Sequence, residues 1–112
     1  MFDILRMTIK TGVLTAKYPE KEDHVSEGFR GMPKFVPEKC TMCGDCVEIC
    51  PSNVLWLEKT EYEMRLTMSY CGCIFCGCCE EICTHQAIKL TREFEMASKT
   101  RDDLVSIIRR KI

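Results

Sequence analysis

The chain divides by its hydrophobic pattern. Over residues 1–11, "MFDILRMTIKT", polar Asp3, Arg6 and Lys10 fall at i, i+3 and i+7 and form one narrow stripe. Met1, Phe2, Ile4, Leu5 and Ile9 fill much of the remaining circumference, which predicts a largely apolar helix closed by Gly12. Such a helix must be covered, and a small domain has few residues to spare for it. A partner protein or a membrane surface is therefore expected there. Residues 17–39 are polar and broken by Pro19, Gly28, Gly31, Pro33 and Pro37, the pattern of an extended strap. In "VLWLEKTEYEMRLTM", Met64, Leu66 and Met68 alternate with Glu63, Arg65 and Thr67. With "VLWLE" before it and "KTEY" between, this predicts a β-hairpin with one apolar face. "AIKLT" predicts another short strand. In "TRDDLVSIIRRKI", Thr100 can cap a helix with Asp103 three residues on, and Leu104, Val105, Ile108 and Ile112 share a face. Arg109, Arg110 and Lys111 suit the C-terminal end of that expected amphipathic helix. Trp56, Tyr70, Phe75 and the methionines are expected in the core.

Composition narrows the class. The 112 residues are a one-domain length, and 46% apolar with 29% charged residues fits a soluble globular chain. Sixteen basic and seventeen acidic residues nearly cancel, so no basic stripe speaks for nucleic acid. No uncharged apolar run approaches a membrane span. The first residues lack the apolar core and cleavage site of a secretory signal. Ten cysteines in a chain expected to stay in a reducing compartment point to metal binding rather than disulfides.

The cysteines fall into two runs. "CTMCGDCVEICP" places Cys40, Cys43, Cys46 and Cys50 in the spacing C-x2-C-x2-C-x3-C-P of a bacterial-type cluster-binding repeat. Slid along "CGCIFCGCCEEICTH", the same template fits from Cys73 only, giving Cys73, Cys76, Cys79 and Cys83. The second run stands 33 residues after the first, and the tails "CPSNVL" and "CTHQAI" also correspond. Three cysteines spaced by three let a short loop aim thiolates at three irons of a cubane. In two-cluster ferredoxins the fourth iron takes the last cysteine of the opposite run. On that rule a first [4Fe-4S] cluster is held by Cys40, Cys43, Cys46 and Cys83, and a second by Cys73, Cys76, Cys79 and Cys50.

Rival chemistries fit less well. Structural zinc asks for two separated C-x2-C knuckles. Radical chemistry with S-adenosylmethionine needs an iron left open, and four thiolates per cluster leave none. The expected chemistry is electron storage and transfer, with no catalysis by the chain alone. Cys71 and Cys78 are left over and read as spare thiols. His85, just after the second run, reads as a surface residue that could tune a cluster. Thr84 replaces the proline found at Pro51 in the first run.

Together, "KTGVLTAKYP", "GFRGMPKF", the two cysteine runs and "REFEMAS" resemble the eight-iron ferredoxin-like subunit of membrane-bound [NiFe] hydrogenases, a group that includes formate hydrogenlyase. That subunit is related to the membrane-proximal iron–sulfur subunit of respiratory complex I. The departures are Thr84, Cys71 and Cys78. The fold expected is α+β: a docking helix and strap over residues 1–33, a duplicated two-cluster ferredoxin-like core over 34–95, and a C-terminal amphipathic helix over 96–112. The resemblance implies an electron relay between soluble ferredoxin, or a neighbouring cluster subunit, and the small subunit of a hydrogenase. Its expected partners are the hydrogenase small and large subunits and a membrane-arm subunit. The expected position is peripheral, on the cytoplasmic face of the membrane. A complex I-like or sulfur-reducing assembly, or a free eight-iron ferredoxin, is the alternative.

Overall fold

A computed structural model describes residues 2–22 and 24–112. In it, helix α1 (Phe2–Thr11) is followed by strand β1 (Pro33–Phe35), helix α2 (Asp45–Glu48), strands β2 (Leu55–Lys59) and β3 (Glu63–Ser69), helix α3 (Cys78–Ile82), and strands β4 (Ile88–Leu90) and β5 (Val105–Lys111). The expected α+β class holds. One sheet pairs β1 with β4, and the other runs β2-β3-β5, all antiparallel.

The 33-residue repeat seen in the cysteines is also a repeat of backbone. Pro33–Leu90 and Phe35–Ile88 are paired in the first sheet. Shifted by one repeat, those become the pairs Leu66–Leu57 and Met68–Leu55 of the second. Left-handed residues recur at the same offset: Met42 with Phe75, Gly44 with Gly77, and Asn53 with Gln86. A 3-10 turn precedes each run, over Pro37–Lys39 and Tyr70–Gly72. Each half therefore consists of a strand, a cysteine loop, a short helix and a returning strand. Each half's strands pair with those of the other half or of its own hairpin in matching register.

The core lies between the two sheets and the loops. Leu55, Leu66, Met68, Ala87, Ile88 and Ile108 are buried, with Cys40, Met42 and Cys46 in the same cluster. The alternation that predicted the hairpin is the burial pattern: Leu66 and Met68 point inward, while Arg65 and Thr67 are only partly covered. Trp56 corrects the expected core. It stands opposite Thr67 on the outer face of the second sheet and is 47% exposed. Tyr70 and Phe75 are half-buried, and Met7 on α1 is exposed.

The C-terminal helix expected over 96–112 is not formed. A 3-10 turn at Asp102–Leu104 leads into β5, which pairs along β3 from Ser69–Val105 to Glu63–Lys111. Val105, Ile107 and Ile108 are β-branched, and the exposed edge of β3 offers seven residues of unpaired backbone to a segment of that composition. Thr100 and Ser98 bond the carboxylate of Asp103, but that contact closes a turn instead of starting a helix. Ile108 alone of the strand is buried, opposite Leu66. Ile108→Ala is expected to destabilise the fold by about 2–5 kcal/mol, read as a lower urea midpoint. Ile107→Ala, on the exposed face, should change it little.

The expected strap also has more structure than its composition predicts. Its end forms β1, and the ladder continues upstream through Gly31 N–H to Thr91 O and Met32 N–H to Glu93 O, both 2.8 Å. Helix α1 forms where expected, with Met1 outside the described residues. None of its residues is buried; Phe2, Ile4, Met7 and Ile9 are each more than 70% exposed. The chain is 72 Å long against 30 and 25 Å across, so α1 does not fold back on the core. No described helix is long and apolar enough to cross a membrane.

Candidate functional site

The two sites follow from the local backbone. In each run the second residue after the first cysteine, Met42 or Phe75, is left-handed, and the glycine after the second cysteine, Gly44 or Gly77, is left-handed again. These two reversals curl the loop so that successive cysteines face one centre instead of alternating. The glycine then opens the short helix, α2 or α3, which carries the third cysteine, Cys46 or Cys79. The chain leaves the helix at the fourth cysteine and crosses to the other half.

Two cavities result. The first is lined by Cys40, Cys43, Cys46 and Cys83, with Met42, Leu57, Leu66, Ala87 and Ile88 as its apolar wall. The second is lined by Cys50, Cys73, Cys76 and Cys79, with Val54, Leu55, Met68 and Phe75. Each has about 400 and 360 Å³, respectively, of space not filled by atoms, part of it open to solvent. The structure thus brings each expected set of four thiols together, three from one run and the fourth from the other. Cys71 and Cys78 line neither cavity. His85 is exposed and sits at the edge of the first.

The donor chemistry suits a multi-iron cluster better than a single ion. All ten cysteines are free thiols. Among the described residues, no three His, Cys, Asp or Glu side chains converge closely enough to hold one ion. The thiols instead surround a space, as the corners of a cubane require. Burial pushes the Cys46 thiol up to about 12, with repulsion from Cys40, Cys43, Cys79 and Cys83 adding to it. Burial likewise raises Cys79 to about 11, helped by Cys73 and Cys76. Four thiolates in one apolar pocket are unfavourable without cations between them, so an iron–sulfur core fits this donor set. Backbone N–H groups already point at sulfur: Ala87 N–H donates to Cys83 Sγ at 3.2 Å and Phe75 N–H to Cys73 Sγ at 3.4 Å. Hydrogen bonds of this kind stabilise the thiolate and help set a cluster's potential. The Cys78 backbone N–H lowers the Cys76 thiol in the same way.

An apolar hairpin face over the clusters and backbone N–H bonds to sulfur are expected from the sequence, but it does not single out the wall residues Val54, Ala87 and Ile88 or the individual donors. The signal for the walls was present in the tails: Val54–Leu55 and Ala87–Ile88 are the corresponding pairs one repeat apart. The left-handed residues Met42, Asn53, Phe75 and Gln86 have no such signal, because none is glycine.

Known proteins agree with this geometry. The "4Fe-4S binding domain" family matches residues 33–56, the first run with its flanking strands. NADH-quinone oxidoreductase subunit I 2 of Geobacter metallireducens is 33% identical over 116 residues, covering 92% of this chain and 88% of its own. The chain belongs to the NADH-quinone oxidoreductase subunit I family. The chain is also similar to formate hydrogenlyase subunit 6 of Escherichia coli, 40% identical over 107 residues. That match covers 94% of this chain but 59% of the relative, so the chain spans less than two thirds of that protein. A chain in the structure of the membrane-bound sulfane sulfur reductase, an archaeal respiratory membrane complex, superposes with a TM-score of 0.69. At 20% identity over 90% of this chain and 56% of that one, it shows a shared fold. This subunit I homologue is thus an iron–sulfur protein of the [4Fe-4S] kind.

Proposed function

We propose that the chain holds two [4Fe-4S] clusters by crossed ligation and relays electrons within a membrane-bound, ion-translocating complex of the [NiFe]-hydrogenase type. Cys40, Cys43, Cys46 and Cys83 hold the first cluster, and Cys73, Cys76, Cys79 and Cys50 hold the second. The observation that carries this reading is the composition of the two cavities, each with three thiols of one run and the last of the other. When bound, the clusters supply one-electron storage at two adjacent points. The protein's part is spacing, insulation and docking. Leu57, Leu66, Ala87 and Ile88 keep water from the first site; Val54, Leu55, Met68 and Phe75 do so at the second. Helices α2 and α3 pack together and bring Cys46 near Cys79, which keeps the two sites adjacent.

The relay would run between soluble ferredoxin, or a neighbouring cluster subunit, and the small subunit of a hydrogenase, next to its large subunit and a membrane-arm subunit. The name of the Escherichia coli relative supports the hydrogenase-type reading. The subunit I names keep a complex I-like assembly as the second reading. Exposed α1 argues against a freely diffusing ferredoxin, because its apolar residues need a cover. A peripheral seat on the cytoplasmic face agrees with a helix that is apolar and too short to span.

Iron and acid-labile sulfide analysis tests the core of the proposal. About eight of each per chain are expected; about four irons, or zinc in a colourless protein, would refute it. Purification from membranes tests the setting. The chain should emerge with large partners, including a subunit carrying a nickel-binding cysteine set, and a chain that elutes alone would be a free carrier.

A further inference from the structure

Two arginines from outside the duplicated unit reach into it. Arg110, on β5, donates from Nη1 to the carbonyl oxygen of Cys40 at 2.7 Å, in a partly buried contact. Arg30, in the strap, donates from Nη1 to the carbonyl oxygen of Cys76 at 2.6 Å, at an exposed position. Each accepting carbonyl belongs to a cysteine of a different run, so each site receives one guanidinium.

Backbone registers fix both placements. Arg110 stands opposite Met64 in the β3–β5 ladder. Arg30 directly precedes Gly31, which is buried and bonded to Thr91 O. A Cβ on Gly31 would lie 2.3 Å from Glu93 O and 2.6 Å from Thr91 O, so only glycine lets the strap approach this closely. The Arg30 guanidinium then lies over Gly77, where an added Cβ would be 3.6 Å from Nε. Among the described residues, neither guanidinium pairs with a carboxylate. Among those residues no ion pair cancels their charge. Of the side chains lining the cavities, only Asp45 and His85 at the first can carry charge besides the cysteines.

We propose that Arg110 and Arg30 set the reduction potentials of the two sites, Arg110 at the first and Arg30 at the second, each favouring the reduced form. The proposal rests on the two-cluster reading above. Accepting one electron adds one negative charge behind the ligand carbonyl, and a fixed cation hydrogen-bonded there stabilises that state. Both arginines are exposed, but the Arg110 bond ends on the buried Cys40, so Arg110 acts more strongly and salt screens Arg30 more. A strand and a strap added on opposite sides of a symmetric core thus make its two halves unequal.

The test is a redox titration of the iron-loaded full chain, followed by electron paramagnetic resonance. Arg110→Gln is expected to move one of the two one-electron steps negative. The expected size is about a tenfold change in reduced fraction at fixed poise, 59 mV for a one-electron couple. The other step should stay in place. Arg110→Lys keeps the charge and should hold the midpoint near that of the parent. Arg30→Gln should move the other step by less, and its shift should shrink as salt rises. Full iron and sulfide content with both midpoints unchanged would overturn the proposal. So would equal shifts in Arg110→Gln and Arg110→Lys, which would assign the effect to bond geometry instead of charge. Arg30 is exposed, so Arg30→Gln decides the matter even if Arg110→Gln loses iron. A parent chain without iron would count against the two-cluster reading itself.

Discussion

Cys83→Ala is expected to destroy the cluster of the first run and spare the one whose first three ligands lie beside it in sequence. Cys83 lines the cavity of Cys40, Cys43 and Cys46, and its charge is felt at Cys46. Cys50, by the same exchange, lines the cavity of Cys73, Cys76 and Cys79 and repels the Cys73 thiol. Iron content should fall by about half in Cys83→Ala, and the surviving resonance spectrum should match that of Cys40→Ala. Cys50→Ala should leave the complementary spectrum, the one that also survives Cys73→Ala. If Cys83→Ala instead matches Cys73→Ala, each run serves its own half and crossed ligation is wrong. The effect is large because a cubane that loses one thiolate has an iron open to water inside a pocket built to exclude it. The apolar wall of Leu57, Leu66 and Ile88 offers no ligand, and the polar lining residues Asp45 and His85 offer no replacement thiolate.

That much of the site was legible because cysteine spacing is a strict code: a loop of fixed length can present only certain thiols to one centre. Sequence could not show what long-range pairing decides. "VSIIRRKI" satisfies a helical face through Val105, Ile108 and Ile112, and a strand through its β-branched residues. The open edge of β3 selected the strand, and no window of sequence shows that edge. Trp56 was expected inside because it is large and apolar. The alternation of β2 puts Leu55 and Leu57 inward, which turns Trp56 to the outer face. The strap's pairing with the β4 end depends on Gly31 meeting two carbonyls 60 or more residues later, which composition cannot announce. Arg30 and Arg110 were hidden for the same reason: each became part of a site only through the register of a distant ladder.

Removing the iron is expected to unfold the core, not merely to empty it. The buried apolar set is small, and it includes Cys40 and Cys46, two of the proposed ligands. No polar or charged residue is buried among the described residues to hold the halves by other means. Cys50 and Cys83 each line the other run's cavity, so iron held as proposed would tie the halves together at two points. A chelator should therefore abolish the sheet signal in circular dichroism along with the visible colour, in a single coincident transition. Acid should speed the loss. The raised thiols of Cys46 and Cys79 bind protons tightly, and each must give its proton up to ligate iron, so a lower pH shifts the exchange toward free thiol. A chain that loses its colour but keeps its sheet, with amide exchange still slow in β2 and β3, would show that packing around Met68 and Leu66 holds the fold without metal.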